Sequence, residues 1–267
     1  MTGQTSRTTA SRDEMAALIE AELLSGRLPA GTKLPSERQL AARLGVSRSV
    51  VREVLRTLTE RRLLEVSPGR GTFAREPRPT DITSQMTTVY RRRNATTRDL
   101  VEARMMVEVQ AVRLAAKCAT ESDIVELHEA IKRVDRIKHV IDKTRADVAF
   151  HSRLTQASGN PVIETMFMSI IELVFEHILR SSSEPAITDE GNPFHHAVVE
   201  AIARHDPDAA ETAMKGHLDV SLRRYGDDLD IPVAQLFRRE LDRMQVPEAF
   251  RPGLLLLNVE TETEGES

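Results

Sequence analysis

The distribution of glycine and proline along the chain constrains its fold more than any other feature. No glycine occurs from residue 72 to 158, and no proline occurs between Pro79 and Pro161. These two residue types end helices and form turns, so a long stretch without them favours long helices. Six of the 12 glycines lie within the first 71 residues. The chain therefore divides into a short part rich in turns and a longer helical part.

The composition narrows the class of protein. Of the 267 residues, 40% are hydrophobic and only 3% are aromatic, which disfavours β-sandwiches and barrels. We expect a cytoplasmic protein that does not act at a membrane, because there is no apolar run of about 18 residues and the polar opening lacks the core of a signal peptide. The single cysteine, Cys118, agrees with a reducing compartment and excludes a Cys-rich zinc module.

The net charge of −4 conceals an asymmetry between the two parts. Residues 1–78 carry 14 Lys and Arg against 9 Asp and Glu, whereas the rest of the chain is acidic. A basic unit attracts a phosphate backbone, although an excess this small is also common on ordinary solvated surfaces. The segment 76–82 contains Pro77 and Pro79 among polar residues and is predicted to link two domains, 1–75 and 83–226. Residues 227–267 are predicted to be an extension with an acidic tail.

The N-terminal unit contains the pattern of a helix-turn-helix. A first helix over 11–25 is predicted from one apolar face formed by Met15, Leu18, Ile19 and Leu23. Ser36 and Gln39 have the spacing of a capping box for a second helix, which ends near Gly45. Ser47 can cap a third helix directly after this glycine. Two helices joined by a short turn with glycine are typical of a helix-turn-helix.

The third helix is predicted to have two different faces. An apolar stripe is formed by Val51, Val54, Leu55 and Leu58. Arg48, Arg52 and Arg56 form a row four residues apart on an exposed edge, with Ser47 and Ser49 near the helix N-terminus. Recognition helices read base edges from their N-terminal residues, and arginine suits guanine or phosphate. The row is equally compatible with arginines that only solvate the surface.

A β-hairpin is predicted after the third helix. Two short runs, 63–66 and 71–74, flank the turn sequence Ser67-Pro68-Gly69-Arg70. The tip Gly69-Arg70-Gly71 allows close approach of the backbone and presents one cation, as a phosphate or minor-groove contact requires.

The run from Leu34 to Leu55, followed by 69–73, resembles the winged helix-turn-helix of GntR-family bacterial transcription regulators. The resemblance covers residues 11–75. It implies that DNA is contacted by Arg38, Arg48, Ser49 and Arg52, with Gly69, Arg70 and Gly71 in the wing. Arg62 departs from the family pattern, which usually has glycine before the first wing strand.

The C-terminal part is predicted to be an all-helical bundle. One helix face is indicated by Leu100, Val107, Ala111 and Leu114, and another by Ile124, Leu127, Ile131, Val134 and Ile141. Asp147 and His151 are four residues apart and share one helix face, while His195 and His217 precede other apolar periodic stretches. Three imidazoles and a carboxylate suit zinc, nickel or manganese, although single histidines on helices are commonly satisfied core or surface residues.

The segments 101–116, 147–160 and 195–217 resemble the FadR-type ligand-binding domain, over roughly 83–226. The resemblance implies a divalent metal, most simply zinc, held by Asp147, His151, His195 and His217, with a small carboxylate effector nearby. His196 is expected to face elsewhere. Arg104 matches a family arginine that can face the pocket, but it could equally form a structural salt bridge with a neighbouring glutamate.

These patterns predict a mainly α protein: a winged helix-turn-helix with a β-hairpin wing, then an all-α effector, metal-binding and dimerisation domain. We expect a homodimeric DNA-binding transcriptional regulator, a repressor whose affinity for operator DNA depends on a small organic acid. Two alternatives are a metal that is itself the signal or purely structural, and a metal-dependent enzyme with an attached DNA-binding domain. The sequence disfavours the enzyme because it contains no His-Glu-x-x-His motif, activated nucleophile or phosphate loop.

The extension beyond residue 226 has no predicted function. Val233, Leu236, Phe237 and Leu241 have the spacing of one more helix, and 254–257 is a short apolar run.

Overall fold

The computed structural model describes residues 12–251. Over this range the chain forms eleven α-helices, three short 3-10 helices and one two-stranded antiparallel sheet. The chain separates into two compact units, with the division between Asp81 and Ile82. The apolar run 254–257 and the acidic tail lie outside the described residues. A mainly α protein with a small β-hairpin was predicted, and this fold class is confirmed.

The N-terminal unit contains three helices and a hairpin. Its helices are α1 (Arg12–Leu24), α2 (Glu37–Leu44) and α3 (Arg48–Glu60). The capping box at α2 is present: the Ser36 N–H donates to Gln39 Oε1 at 2.9 Å, and the Gln39 N–H donates to Ser36 Oγ. Ser47 caps α3 by accepting a hydrogen bond from the Val50 N–H. Gly45 adopts the left-handed conformation, with φ 68°, that ends α2.

The four apolar residues predicted on α3 are all buried and form the centre of the N-terminal core. Met15 of α1 joins this core, and Ile19 and Leu23 pack against it. The prediction for Leu18 is wrong, because its side chain is 59% exposed. Met15, Ile19 and Leu23 follow a spacing of four along α1, and Leu18 lies to one side of that line.

The hairpin pairs β1 (Leu64–Ser67) with β2 (Gly71–Ala74), with Leu64 opposite Ala74 and Ser67 opposite Gly71. The Arg70 N–H donates to the Ser67 carbonyl at 3.0 Å, which closes the turn over Pro68 and Gly69. Arg62, just before β1, has φ 61°, a conformation that favours glycine. The chain therefore enters β1 through a residue in the left-handed conformation, which glycine adopts most easily, although the residue here is arginine.

The segment that follows the wing is held by a bidentate ion pair. Arg75 Nη1 and Nη2 donate to the two oxygens of Asp81 at 2.6 and 2.7 Å, and the Arg78 N–H also donates to Asp81 at 2.8 Å. A 3-10 helix spans Pro79–Ile82. The predicted linker thus contains ordered hydrogen bonds at Asp81.

The C-terminal unit is a bundle of eight helices within the described residues. They are α4 (Thr83–Arg92), α5 (Thr97–Cys118), α6 (Glu121–Arg136), α7 (Val140–Ala157), α8 (Pro161–Ser182), α9 (Pro185–Ala203), α10 (Pro207–Arg224) and α11 (Val233–Arg243). Two further 3-10 helices are Gly226–Asp230 and Glu248–Phe250. Polar side chains cap four of the α-helices at Thr96, Thr120, Asn160 and Asp206. Three of the helices begin with proline, which suits the first helical position.

The core of the bundle contains the apolar faces predicted for α5 and α6. Helix α8 is buried mainly in its central part, since all eleven of its buried residues lie between Phe167 and Leu179. Ile141 was predicted to continue the face of α6, and this is wrong: α6 ends at Arg136, and Ile141 lies in the first turn of α7. Ile137 has an extended backbone, with ψ 128°, and so separates α6 from α7.

The helix predicted in the extension is present as α11. Its predicted apolar residues Val233, Leu236, Phe237 and Leu241 are all buried, and Val233, Phe237 and Leu241 join the core formed with α8. Residues up to Arg243 of the extension are therefore an integral part of the bundle. Among the helices of residues 12–251, none has the length and apolar character required to cross a bilayer.

Candidate metal centre and nucleic-acid interface

Three histidines from three helices meet inside the bundle. His151 lies on α7, His195 on α9 and His217 on α10, and each offers a ring nitrogen within 4.8 Å of the others. The Nε2 atoms of His195 and His217 are 3.3 Å apart. Two nitrogens that share one tetrahedral zinc at its usual bond length are separated by about 3.3 Å. The histidine cluster therefore has a spacing at which one ion could be held.

Asp147 completes the predicted set of four. Its Oδ1 lies 3.4 Å from His151 Nε2 and 3.6 Å from His195 Nε2. This oxygen is buried and has no hydrogen-bond partner in the described part of the chain. A buried oxygen acceptor without a donor is costly, and a cation among these residues would compensate it. The donor set of three imidazoles and one carboxylate fits zinc, nickel or manganese.

Glu108 was not singled out by the sequence analysis, yet it orients one of these histidines. Its Oε2 lies 2.5 Å from His151 Nδ1, which leaves the Nε2 of the same ring directed toward Asp147. Carboxylates in this position fix the tautomer of a metal-binding histidine. The signal in the sequence was weak: Glu108 follows Arg104 by four residues, a spacing that suits a salt bridge.

Arg104 forms the salt bridge that was one of its two predicted roles. Its Nε donates to Glu108 Oε1 at 2.5 Å, and both side chains are almost completely buried. Its Nη2 also lies 3.3 Å from His151 Nε2, and the residue lines the adjacent cavity. The structural contact does not remove the guanidinium from the pocket.

Burial and neighbouring charges have opposing effects on the pKa values of the carboxyl groups in this cluster. Burial alone would raise the pKa of Glu108 and of Asp147, but Arg104 and His151 outweigh it for Glu108 and the nearby histidines outweigh it for Asp147, so both pKa values are lowered. Burial lowers the pKa of His195 to about 4, and that of His217 also falls well below its usual range. Burial would lower the pKa of His151, but Glu108 and Asp147 outweigh it, so this pKa is raised. Metals bind neutral imidazoles and ionised carboxylates, so an ion would have to displace a proton from His151 where that ring is charged.

Two glycines allow α9 and α10 to bring their histidines together. A Cβ at Gly216 would lie 2.4 Å from the ring of Phe194, so α10 passes close to α9 there. A Cβ at Gly191 would lie 3.8 Å from His217 Nδ1. Pro193 lies inside α9 and cannot donate the usual helical hydrogen bond in the turn that precedes His195.

A small cavity of about 30 Å³ adjoins the histidines. Its polar wall is formed by Arg104, His177, Ser181, Thr188, Asn192 and Ser221. A single buried water needs roughly 10–15 Å³ on this scale, so the cavity has room for about two waters. His177 Nε2 is hydrogen-bonded to Ser221 Oγ at 3.1 Å. The His177 ring stacks on the Tyr225 ring, with the ring centroids 4.9 Å apart. Its Nδ1 is buried without a hydrogen-bond partner in residues 12–251.

The adjacent His196 is exposed and does not join the cluster. Its Nε2 lies 3.0 Å from Asp135 Oδ2, on a different side of α9 from His195. The structure therefore separates these two neighbouring histidines as the sequence predicted.

The second candidate site lies on α3 of the N-terminal unit. Arg48, Arg52 and Arg56 are exposed along one edge of the helix. Arg52 forms a bidentate pair with Glu37 of α2, with distances of 3.1 and 2.9 Å, and Arg48 lies 3.8 Å from the same carboxylate. Arg56 instead pairs with acidic residues of α3 itself. No local pattern in the sequence indicates the pairing with Glu37.

The residues predicted at the start of α3 and in the wing are also on the surface. Ser47 and Ser49 are hydrogen-bonded through their Oγ atoms at 2.8 Å. Arg38 is exposed on α2, and Gly69, Arg70 and Gly71 are exposed at the hairpin tip. The Arg70 guanidinium lies 5.7 Å from the centre of the Phe73 ring.

Lys33 adds a cation that was not predicted from the sequence. Its Nζ lies 5.9 Å from the Phe73 ring, and its backbone pairs with Phe73 alongside β2. Lys33 and Arg70 thus flank one aromatic side chain of the wing. No sequence signal identified Lys33, because its position depends on the bridge between a loop and β2.

Two family profiles match most of the chain. The profile described as "Bacterial regulatory proteins, gntR family" matches residues 11–74, which include α1 to α3 and the wing. The profile of the FCD domain matches residues 99–220, which include the histidine cluster.

The chain is similar to named regulators of several bacteria. The chain is 32% identical over 227 residues to the "Putative L-lactate dehydrogenase operon regulatory protein" of Escherichia coli (strain K12), covering 81% of this chain and 88% of the relative. It is 28% identical to the Glc operon transcriptional activator of the same strain, covering 76% and 84%. Among solved structures, a GntR protein of Streptococcus agalactiae matches with a TM-score of 0.62 and 27% identity, covering 80% of this chain and 99% of that one.

Proposed function

The chain belongs to the GntR family of bacterial regulatory proteins, and we propose that it is a regulator whose affinity for operator DNA is controlled by a small carboxylate effector at a metal-containing pocket. That it is a DNA-binding transcriptional regulator with an FCD effector-binding domain, and not an enzyme, follows from the family. The observation that carries the finer proposal is the convergence of His151, His195 and His217 with Asp147 beside a polar cavity.

We propose that α3 reads the operator with Arg48, Ser49 and Arg52 while Ser47 holds the helix N-terminus. Exposed guanidiniums near that end of the helix have the chemistry to contact base edges or phosphates in the major groove. Arg38 would contribute a further contact. The wing tip from Gly69 to Gly71 would contact phosphate or the minor groove through Arg70.

Operator binding by arginine variants tests the DNA interface. We expect Arg48→Ala and Arg52→Ala each to weaken binding to the cognate site by about 1–3 kcal/mol if the lost contact is to a base edge. Arg56→Ala is the matched control, because it removes a third arginine from the same row that is already paired within α3. Undiminished affinity in both test variants would exclude the assignment of α3 as the recognition helix.

In the C-terminal unit we propose that Asp147, His151, His195 and His217 hold one divalent ion, with zinc the best fit and nickel or manganese also compatible. When bound, an ion that accepts more than the four protein ligands would supply its remaining coordination positions to the oxygens of a small organic acid. Glu108 would hold His151 in the correct tautomer. Arg104 would offer its Nη2 to the effector carboxylate while its Nε remains bound to Glu108.

The volume of the cavity supports a small effector. A space of about 30 Å³ does not accommodate a large organic molecule unless the helices move apart. We propose that the effector shifts the population between two arrangements of a homodimer and so changes operator affinity. We propose that effector binding weakens operator binding and so relieves repression. Relatives of the chain include both an activator and a repressor by name, and an operator-linked reporter measured with and without effector would decide the sign.

A second candidate function is that the metal is the signal itself. The observation that favours it is that the three clustered histidines come from α7, α9 and α10, so one ion would link these helices without any organic ligand. Separate titrations of zinc and of an organic acid against operator binding distinguish the two cases. A response to zinc alone, unaltered by the acid, would support metal sensing.

A further inference from the structure

The loop that precedes α2 runs alongside the wing. The Leu34 N–H donates to the Thr72 carbonyl at 2.8 Å, and Lys33 lies opposite Phe73 in an antiparallel bridge. Side chains directly opposite each other on antiparallel neighbours point to the same face. Lys33 therefore shares one face of the hairpin with Phe73, although it belongs to a loop between two helices.

The Lys33 side chain extends toward the tip of the hairpin. A Cβ at Gly71 would lie 3.0 Å from Lys33 Cε and 3.7 Å from Lys33 Nζ, so the end of the lysine lies against Gly71. Lys33 Nζ is 5.9 Å from the centre of the Phe73 ring, and the guanidinium of Arg70 is 5.7 Å from the same point. Lys33 and Arg70 are both exposed, so a large partner can reach both cations.

Neither cation is neutralised by a carboxylate of the protein. Lys33 and Arg70 form no ion pair with any residue of the range 12–251. Glu65 lies opposite Phe73 on β1 and so belongs to the same cross-strand row, yet it is not paired with Lys33. Several arginines of this unit do have a carboxylate within 4.0 Å, among them Arg27, Arg52, Arg61 and Arg75. Because like charges repel, an anion bound at the tip would stabilise both Lys33 and Arg70.

The phosphate backbone of duplex DNA has the matching chemistry. It carries one negative charge for about every 3.4 Å along each strand. A lysine ammonium binds phosphate as a point charge with three donors, and such contacts position a protein on DNA without reading the sequence. We propose that Lys33 binds a DNA phosphate, so that the wing holds the backbone through Lys33 as well as through Arg70. This inference rests on the proposed contact of the wing with DNA.

The salt dependence of DNA binding tests the proposal. The full chain is titrated into a fluorescent duplex of random sequence, and anisotropy is measured between about 50 and 200 mM NaCl. Lys33→Gln is expected to weaken binding about threefold to tenfold at low salt. The slope of log K against log salt should become less steep by about 0.9 for each Lys33 that contacts a phosphate. Lys33→Arg keeps the charge and is expected to keep the slope of the parent chain.

Arg27→Gln is the matched control for net charge. It makes the same change of charge in the same unit, at an exposed arginine that is held by Glu22 at 2.9 and 2.8 Å. We expect its slope to equal that of the parent chain. An unchanged slope in Lys33→Gln, or equal losses in Lys33→Gln and Arg27→Gln, would overturn the proposal.

Arg70→Gln separates this proposal from the proposed wing contact. A flatter slope in Arg70→Gln with no change in Lys33→Gln would show that the wing touches DNA without Lys33, which overturns only the present inference. Unchanged slopes in both variants would exclude the wing contact and the role of Lys33 together.

Inorganic phosphate distinguishes a site for a free anion from a site for the DNA backbone. When phosphate replaces chloride at equal ionic strength, we expect the difference between the parent chain and Lys33→Gln to persist. Disappearance of that difference would assign Lys33 to a free phosphate and overturn the proposal.

Discussion

Glu37 of α2 binds the guanidinium of Arg52 on α3 through both carboxylate oxygens, at 3.1 and 2.9 Å. The Arg52 hydrogen bonds lower the pKa of Glu37, so its carboxylate stays ionised. The carboxylate also lies 3.8 Å from Arg48. Two of the arginines proposed to contact DNA therefore share one acidic partner in the free protein, and DNA phosphates must compete with it.

Substituting Glu37 should strengthen binding to non-specific DNA. In Glu37→Gln the negative charge beside Arg48 and Arg52 is lost, so we expect affinity for a random duplex to rise by about threefold to tenfold at low salt. Fluorescence anisotropy at several salt concentrations measures this change. Glu65→Gln, which removes an exposed carboxylate from β1, is the control for net charge alone. An equal gain in both variants would show that Glu37 has no special competition with DNA.

Elemental analysis of the purified chain tests the metal site. We expect close to one equivalent of metal per chain, and its loss in His195→Ala and in the triple variant of His151, His195 and His217 to Ala. His196→Ala is the matched control, because it removes the neighbouring imidazole, which faces Asp135. Metal-free protein, still metal-free after exposure to zinc, nickel or manganese, would contradict the proposed site.

Removing Arg104 should destabilise the C-terminal unit. The Arg104→Ala change leaves Glu108 buried without its main cation, and breaking a buried pair in this way typically costs about 3–5 kcal/mol. Arg113→Ala on the same helix removes a partly exposed arginine that pairs with Asp208, so its effect should stay below about 1 kcal/mol. Urea unfolding, monitored by circular dichroism, measures the loss of unfolding free energy in each variant. Similar losses would show that the Arg104 pair is not the dominant contact.

Glycine at position 62 should stabilise the wing. The left-handed backbone of Arg62 is unfavourable for a residue with a side chain, and relief of this strain in Arg62→Gly should outweigh the added chain entropy by about 0.5–1 kcal/mol. Arg61 has φ −77°, so Arg61→Gly should not stabilise. Amide hydrogen exchange over residues 63–75 measures the difference locally. Faster exchange in Arg62→Gly than in the parent chain would contradict the prediction.

The ion pair between Arg75 and Asp81 should give a pH-dependent contribution to stability. Burial would raise the pKa of Asp81, but Arg75 and the Arg78 N–H outweigh it, and the pKa is lowered. Because the folded-state pKa is depressed, the contribution is complete above the ordinary value of 3.8 and is lost as the pH falls through the lower folded-state value. Asp81→Asn should therefore cost about 1–2 kcal/mol at pH 7 and progressively less below pH 4. A constant difference between the urea midpoints of the parent and variant from pH 7 to pH 3 would exclude this origin.

Local signals in the sequence predicted much of the N-terminal unit because they act over a few residues. Ser36 and Ser47 cap the helices that they precede in sequence, and the apolar stripe of α3 faces the core as its spacing indicates. The exposure of Leu18 depended on which part of α1 the remaining helices cover. The pairing of Glu37 with Arg52 joins residues 15 positions apart, and no local rule indicates it.

In the bundle, too, local patterns in the sequence did not indicate the contacts that depend on how the helices pack. The spacing of Asp147 and His151 predicted that both share one face of α7, but the approach of His195 and His217 depends on helix packing at Gly216. The break between α6 and α7 contains neither glycine nor proline, so the periodic pattern continued through it to Ile141. Glu108 became recognisable as a partner of His151 only when α5 and α7 were placed side by side.

The narrowness of the cavity beside the histidines has a kinetic consequence. A space of about 30 Å³ must widen before the proposed organic acid can enter, so its capture would be limited by how often the surrounding helices separate. Association that requires a conformational change is slower than encounter by diffusion. The regulator would then average over brief changes in effector concentration and respond only to those that last longer than its opening time.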